Sequence, residues 1–213
     1  MKLKNIYNKC IDRDSVFLIT LYKYVLYKIC FKKTIVCHHA AIIKNVNNIV
    51  SNHVLEIGMG KIGFSDKHDR TLLNLNGEMI FEGPYSIGRG CRIDVAKGAK
   101  IKIGEGGFIN VNSTFIIMHG LTIGNNCAIS WDCQFLDEDF HKINYIGKKE
   151  KSNEIFIGDN VWIGCGVKIY KGSIIPDGSV IASDSIVRGV FFDKNTLIAG
   201  NPARSIKENV NWK

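Results

Sequence analysis

Between Ile157 and Val187 the chain repeats every six residues. Ile157, Ile163, Ile169, Ile175, Ile181 and Val187 recur without a slip, and Val161, Val167, Ser173, Ser179 and Ser185 stand four places after the first five. Six is a multiple of the two-residue strand period and not of 3.6, so the pattern describes short strands that turn a corner every sixth residue. A fixed period of this kind marks a solenoid, in which each coil buries its apolar face only when the next one stacks on it. The turns of a β-sandwich recur instead every ~8–12 residues.

The register can be followed upstream. Phe81, Ile87 and Ile93 lead, after a surplus of four residues, to Ile103, Ile109 and Phe115. An eight-residue step then reaches Ile123, Ile129 and Phe135, and its two extra residues lie in IIMHGLT, which contains His119. The next apolar slot is taken by His141, and the period is lost through the basic, polar stretch Lys142–Glu154. A long insertion in a solenoid maps to one face, often the binding face. The β-branched segments of Thr34–Phe64 read as first, irregular coils. The expected organisation is an N-terminal arm over 1–33, a solenoid over 34–207 with the insertion at 142–154, and a tail over 208–213.

Seven cysteines with no Cys-x-x-Cys pair argue against a disulfide framework and a cysteine zinc site. Cys91, Cys127 and Cys133 fall in the small slot of the repeat, where a reduced thiol acts as a small buried hydrophobe. Reduced thiols imply a cytoplasmic protein, and Met1–Arg13 shows no signal-peptide pattern. Of the net charge of +8, residues 1–33 hold eight Lys/Arg against Asp12 and Asp14, and the remainder is nearly neutral. That is not the footprint of a nucleic-acid-binding face. Asp14–Phe31 is the best helix candidate, with Asp14 or Ser15 as N-cap. It is shorter than the ~20 apolar residues a membrane span needs. Two readings stand: a cap over the open end of the solenoid, or peripheral attachment to an anionic membrane.

The block IGDNVWIGCGVKIYKGSIIPDGSVIASDSIV and the closing AGNPAR resemble the hexapeptide-repeat acyltransferases. ISWDCQFLDEDFHKI followed by a loop is similar to the branch that acetylates sugars and surface polysaccharides. The resemblance covers about residues 81–207. It implies a mainly β fold, a left-handed parallel β-helix of three hexapeptides per coil, with the arm helical or extended and one long protruding loop. It further implies a homotrimer with active sites between subunits, an acyl-CoA donor (usually acetyl-CoA), a sugar or oligosaccharide acceptor, direct transfer, and no metal.

Acyl transfer to a hydroxyl needs a base, because an alcohol is a poor nucleophile until its proton is taken. His141 is the one histidine standing where an aliphatic residue is due, and an imidazole, with an ordinary pKa of ~6.5, suits base work near neutrality. The resemblance places the catalytic histidine at this position. Asp137 and Asp139 are each close enough in sequence to hold one ring nitrogen protonated, and a backbone carbonyl is the alternative. The resemblance also assigns Asn110 to the acceptor, although a corner asparagine satisfying turn backbone fits equally. His119 falls near an acidic acceptor-binding position of relatives. Trp162 points outward just before Ile163, where it lines the site or packs a trimer. Cys165 and Ser183 match positions along the thioester arm, and Arg188, Arg204 and Lys207 match basic positions near the nucleotide. Arg188-Gly189 stands where many relatives have Thr-Lys.

Three rivals remain. A γ-type carbonic anhydrase needs three histidines around zinc, and beyond residue 120 only His141 is present. An N-acyltransferase acting on an amino sugar differs only in the acceptor atom. A non-catalytic scaffold gives no reason for a histidine in an apolar slot.

Overall fold

The computed structural model of the chain describes residues 3–142 and 152–212. Among the described residues, nine strands form a first sheet, seven a second and six a third. The first runs from Thr34–Cys37 to Ala203–Lys207, the second from Ile42–Lys44 to Ile186–Val187, and the third from Ile49–Val50 to Ile174–Ile175. The chain visits the three sheets in turn, and neighbouring strands are parallel except for the closing hairpin Leu197–Gly200 with Ala203–Lys207. This is the arrangement of a left-handed β-helix.

The six-residue register is the ladder that holds the coils together. Ile87 pairs with Ile109, Ile109 with Ile129, Ile129 with Ile163 and Ile163 with Ile181. All five are buried, as are Phe115 and Phe135, whose rings stack at 4.3 Å in the second sheet. The small slots behave as expected of buried thiols. Cys91, Cys127 and Cys133 donate to carbonyl oxygens of the next coil, and burial pushes each thiol up, to about 12, 11 and 12. The corners need left-handed backbone, which Gly, Asn and Asp supply. Gly90 and Asn112 show why these types alternate: both have positive φ, and a Cβ on Gly90 would lie 2.0 Å from the Asn112 side-chain oxygen.

The arm is two helices, α1 (Leu3–Asp12) and α2 (Phe17–Cys30). The sequence indicated one, because Met1–Arg13 reads as polar; Ile6 and Cys10, one turn apart, are α1's only buried positions. Neither Asp14 nor Ser15 caps α2. Val16 is the N-cap, and Ser15 instead accepts the His39 N–H at 2.9 Å. Ile6, Cys10 and Tyr24 pack on Val36 and Met59, which face outward from the first sheet, while Tyr27 joins the solenoid core.

Polar contacts fasten this cap. Lys9 pairs with Glu56 at 2.6 Å, and Lys23 donates to the carbonyls of His39 and Ala41. The fully buried Arg89 donates to the carbonyls of Arg13 and Asp66, tying the arm to the 61–70 connection. Buried His38 donates from Nε2 to Asp14 O and accepts at Nδ1 from Ala40 N. Burial, with Arg89 close by, pushes its pKa down to about 4, so the ring is the neutral tautomer at pH 7.

No helix among the described residues is long and apolar enough to cross a membrane.

Candidate active site at two corners of the coil

Between the second and third sheets lies the corner where the repeat slips. In one coil it is Met118–His119, between strands Thr114–Ile117 and Gly120–Ile123. In the next coil the strand Gln134–Leu136 runs out into the insertion, and the chain returns at Ile155–Ile157. Residues 143–151 of that insertion lie outside the described residues.

Three consecutive carboxylates organise the take-off of the loop. Asp137 is fully buried, and its two oxygens accept the backbone N–H groups of Met118, His119 and Gly120 at 2.7–2.8 Å. It therefore closes the corner of the preceding coil and does not orient His141. Glu138 reaches the same corner by its side chain, with Oε2 2.8 Å from His119 Nε2. A carboxylate only accepts, so this nitrogen donates to it. Glu138 Oε1 takes the N–H groups of Asp139 and Phe140, and these contacts, the His119 bond foremost, hold its carboxyl below the usual range. Asn153, on the returning chain, sets its side-chain amide 2.9 Å from His119 Nε2, and since that nitrogen already donates to Glu138 the amide N–H does not bond to it. Asp139 turns the other way, to Lys171 of the following coil at 2.8 Å. Neither aspartate expected to hold the His141 ring does so, because each satisfies a group on a neighbouring coil.

His141 itself is exposed at the base of the insertion, and no hydrogen bond engages its ring among the described residues. Further along this edge, Arg188 lies over the Tyr170 ring with its guanidinium carbon 4.3 Å from the centroid. On the other side of His119 a shallow groove of about 490 Å³ is lined by Asn45, Asn76, Asp94, Ala96, Lys97 and Met118.

The remaining candidates occupy a different edge, between the first and second sheets. Cys165 and Ser183 meet there, Sγ to Oγ 3.3 Å, at equivalent corners of successive coils. Asn110 stands at the same edge, its side-chain oxygen accepting the Val111 N–H at 2.9 Å, which is a turn contact. Trp162 projects from the first sheet two residues before Gly164, about two-fifths exposed, donating from Nε1 to Ser130 Oγ at 3.3 Å. Arg204 and Lys207 are exposed on the last strand of the same sheet. One face of the second sheet separates the two edges, about five to six residues from corner to corner, or ~15–20 Å at ~3.3 Å per residue. Within one chain, His141 and the Trp162 wall are therefore apart.

Two contributors were not singled out in the sequence. Glu138, flanked by two aspartates, carries no mark in the sequence that sets it apart from them. Trp212, in the tail, donates to Asn160 O at 2.8 Å and sets its ring 6.2 Å from that of Trp162.

No protein-family model matches the chain. It is 37% identical over 208 residues to an uncharacterized 24.8 kDa protein in the cps region of Klebsiella pneumoniae, covering 97% of this chain and 93% of that one. It is also 37% identical over 142 residues to a protein of Dictyostelium discoideum named a putative acetyltransferase, covering 65% of this chain and 70% of the relative. The chain belongs to the hexapeptide-repeat acetyltransferase family. Within that family it is 38% identical over 124 residues to the polysialic acid O-acetyltransferase of Escherichia coli, covering 56% of this chain and 40% of the enzyme. Among solved structures, that of the polysialic acid O-acetyltransferase OatWY has a similar fold, at a TM-score of 0.56 and 21% identity, covering 81% of this chain and 86% of that one.

Proposed function

We propose that the protein transfers an acetyl group from acetyl-CoA to a hydroxyl of a sugar or surface-polysaccharide precursor. The reading rests on one observation above the others: an exposed histidine, with no hydrogen bond to its ring among the described residues, stands at the base of the insertion where the chain leaves the second sheet, while Ile155 and Ile157 fill the apolar slots of the coil. The E. coli relative's activity on polysialic acid supports a saccharide acceptor.

Acetyl-CoA supplies an acyl thioester. His141 takes the acceptor's hydroxyl proton as the oxygen bonds to the thioester carbonyl carbon, then returns a proton to the sulfur as the carbon–sulfur bond breaks. No acyl-enzyme is required. Trp162, Cys165 and Ser183 line the thioester arm, and Arg204 and Lys207 meet the phosphates. The groove beside His119, walled by Asn45, Asn76, Asp94 and Lys97, carries side chains able to donate to and accept from sugar hydroxyls.

The separation of the two edges within one chain supports a site completed between subunits, as in the homotrimer that the sequence resemblance implies. His141 of one subunit faces the Trp162 wall of its neighbour.

The test is acetyl-CoA consumption against a panel of sugars, nucleotide sugars and oligosaccharide repeats, followed by mild alkali treatment of the product. An ester, lost in alkali, is expected. An alkali-stable amide would assign the chain to amino-sugar N-acylation, and no transfer to any saccharide would remove the reading.

A further inference from the structure

The inner side of the helical arm is accounted for by the cap, and the outer side is not. On α2 the residues that meet the solenoid are Thr20, Tyr24 and Tyr27. The opposite face presents Leu18, Tyr22, Val25 and Ile29, spaced by four, three and four residues, and three of them are about 70% exposed. On α1 the exposed positions Leu3, Tyr7 and Ile11 make a matching stripe at intervals of four. The two helices touch where the Tyr7 ring packs edge-on at 5.2 Å against Phe17, itself a residue of the inner side. A surface helix ordinarily turns polar residues outward, and α2 is apolar on both faces.

Charge says what covers it. Lys4, Arg13, Lys32 and Lys33 make no ion pair among the described residues, Lys28 meets only the Tyr24 ring and hydroxyl, and Asp14, one of the arm's two acids, is already bonded to Lys61. The other 180 residues carry 20 Lys/Arg against 18 Asp/Glu, so a second copy of the chain offers no net acidic counterpart. An anionic lipid surface offers both an acid layer for the cations and a hydrocarbon boundary for the stripe. At 14 residues α2 is ~21 Å long, too short to cross a ~30 Å hydrocarbon core and suited to lying in the interface.

We propose that the outer face of α1 and α2 docks the protein on an anionic membrane, with Leu18, Tyr22, Val25 and Ile29 entering the interface and the unpaired lysines meeting lipid headgroups. The inference is independent of the acetyl-transfer reading.

The arm cannot simply be deleted, because Tyr27 belongs to the solenoid core. The full chain is instead sedimented with phosphatidylcholine vesicles and with vesicles carrying about 30% phosphatidylglycerol. Partition to the anionic vesicles alone, lost in high salt, is expected. The combined Leu18→Ser, Tyr22→Ser and Ile29→Ser variant should lower that partition by more than about tenfold. So should Lys28→Glu with Lys32→Glu and Lys33→Glu. Melting curves and solution mass should stay as in the parent chain. Equal partition by the serine variant, or none by the parent, overturns the proposal. A serine variant that dissociates the assembly also overturns it, and assigns the stripe to a contact between copies.

Discussion

His141→Ala is expected to lower kcat/KM for acetyl transfer by about 10²–10⁴-fold, the range for losing a positioned general base. The loss should fall on kcat, since the ring takes a proton in the transition state and is not needed to hold either substrate. It should leave the melting curve unchanged, because the side chain is exposed and no described group depends on it. Asp139→Asn is the control from the same loop. Its carboxylate answers Lys171 and not the His141 ring, so its effect should stay within about tenfold, the modest value of an exposed ion pair. Initial rates with saturating acetyl-CoA separate the two. Activity retained by His141→Ala would return the histidine to a structural role.

Asp137→Ala is expected to be the most destabilising single change near the site. It leaves three backbone N–H groups at Met118, His119 and Gly120 without their acceptor, in a corner where the lost side chain is fully buried. Hydrogen bonds to a charged group contribute about 1.5–3 kcal/mol each and are not additive, so a net cost of about 3–5 kcal/mol is expected. Activity should fall as well, since the same corner carries the His119–Glu138 pair and the base of the His141 loop. Asp137→Asn keeps one acceptor oxygen but turns an amide toward the other donors, and should fall between. Thermal unfolding of the three proteins checks the order. An unchanged melting point for Asp137→Ala would mean that the corner closes without its carboxylate.

These two residues show what the sequence could and could not reveal. The solenoid was legible because its physics is periodic. Inward positions must be apolar to fill a narrow core, corners must tolerate left-handed backbone, and both demands recur every six residues. Even the slots of Cys91, Cys127 and Cys133 could be assigned from register alone. Interactions between coils carry no such signature. Asp137 sits four residues before His141, which made it a natural orienting group, yet its partners lie 17 to 19 residues back on the coil beneath. Glu138 finds His119 by the same vertical stacking. α1 leaves little trace in the sequence because it buries only two side chains. The separation of the candidates onto two edges was also hidden, since residues close in one coil's sequence fall on different corners of a triangle.

That separation carries the central claim, and mixing two inactive chains tests it most directly. His141→Ala lacks the base on one edge, and Trp162→Ala lacks the wall on the other. If each site takes one edge from each of two neighbouring subunits, random co-assembly places an intact His141 edge against an intact Trp162 wall in about one site in four. A 1:1 mixture, denatured and refolded together, should then recover about a quarter of the parent activity, while each variant refolded alone stays at its own residual level. A mixture as inactive as its components would show that one chain supplies the whole site, and would contradict the account.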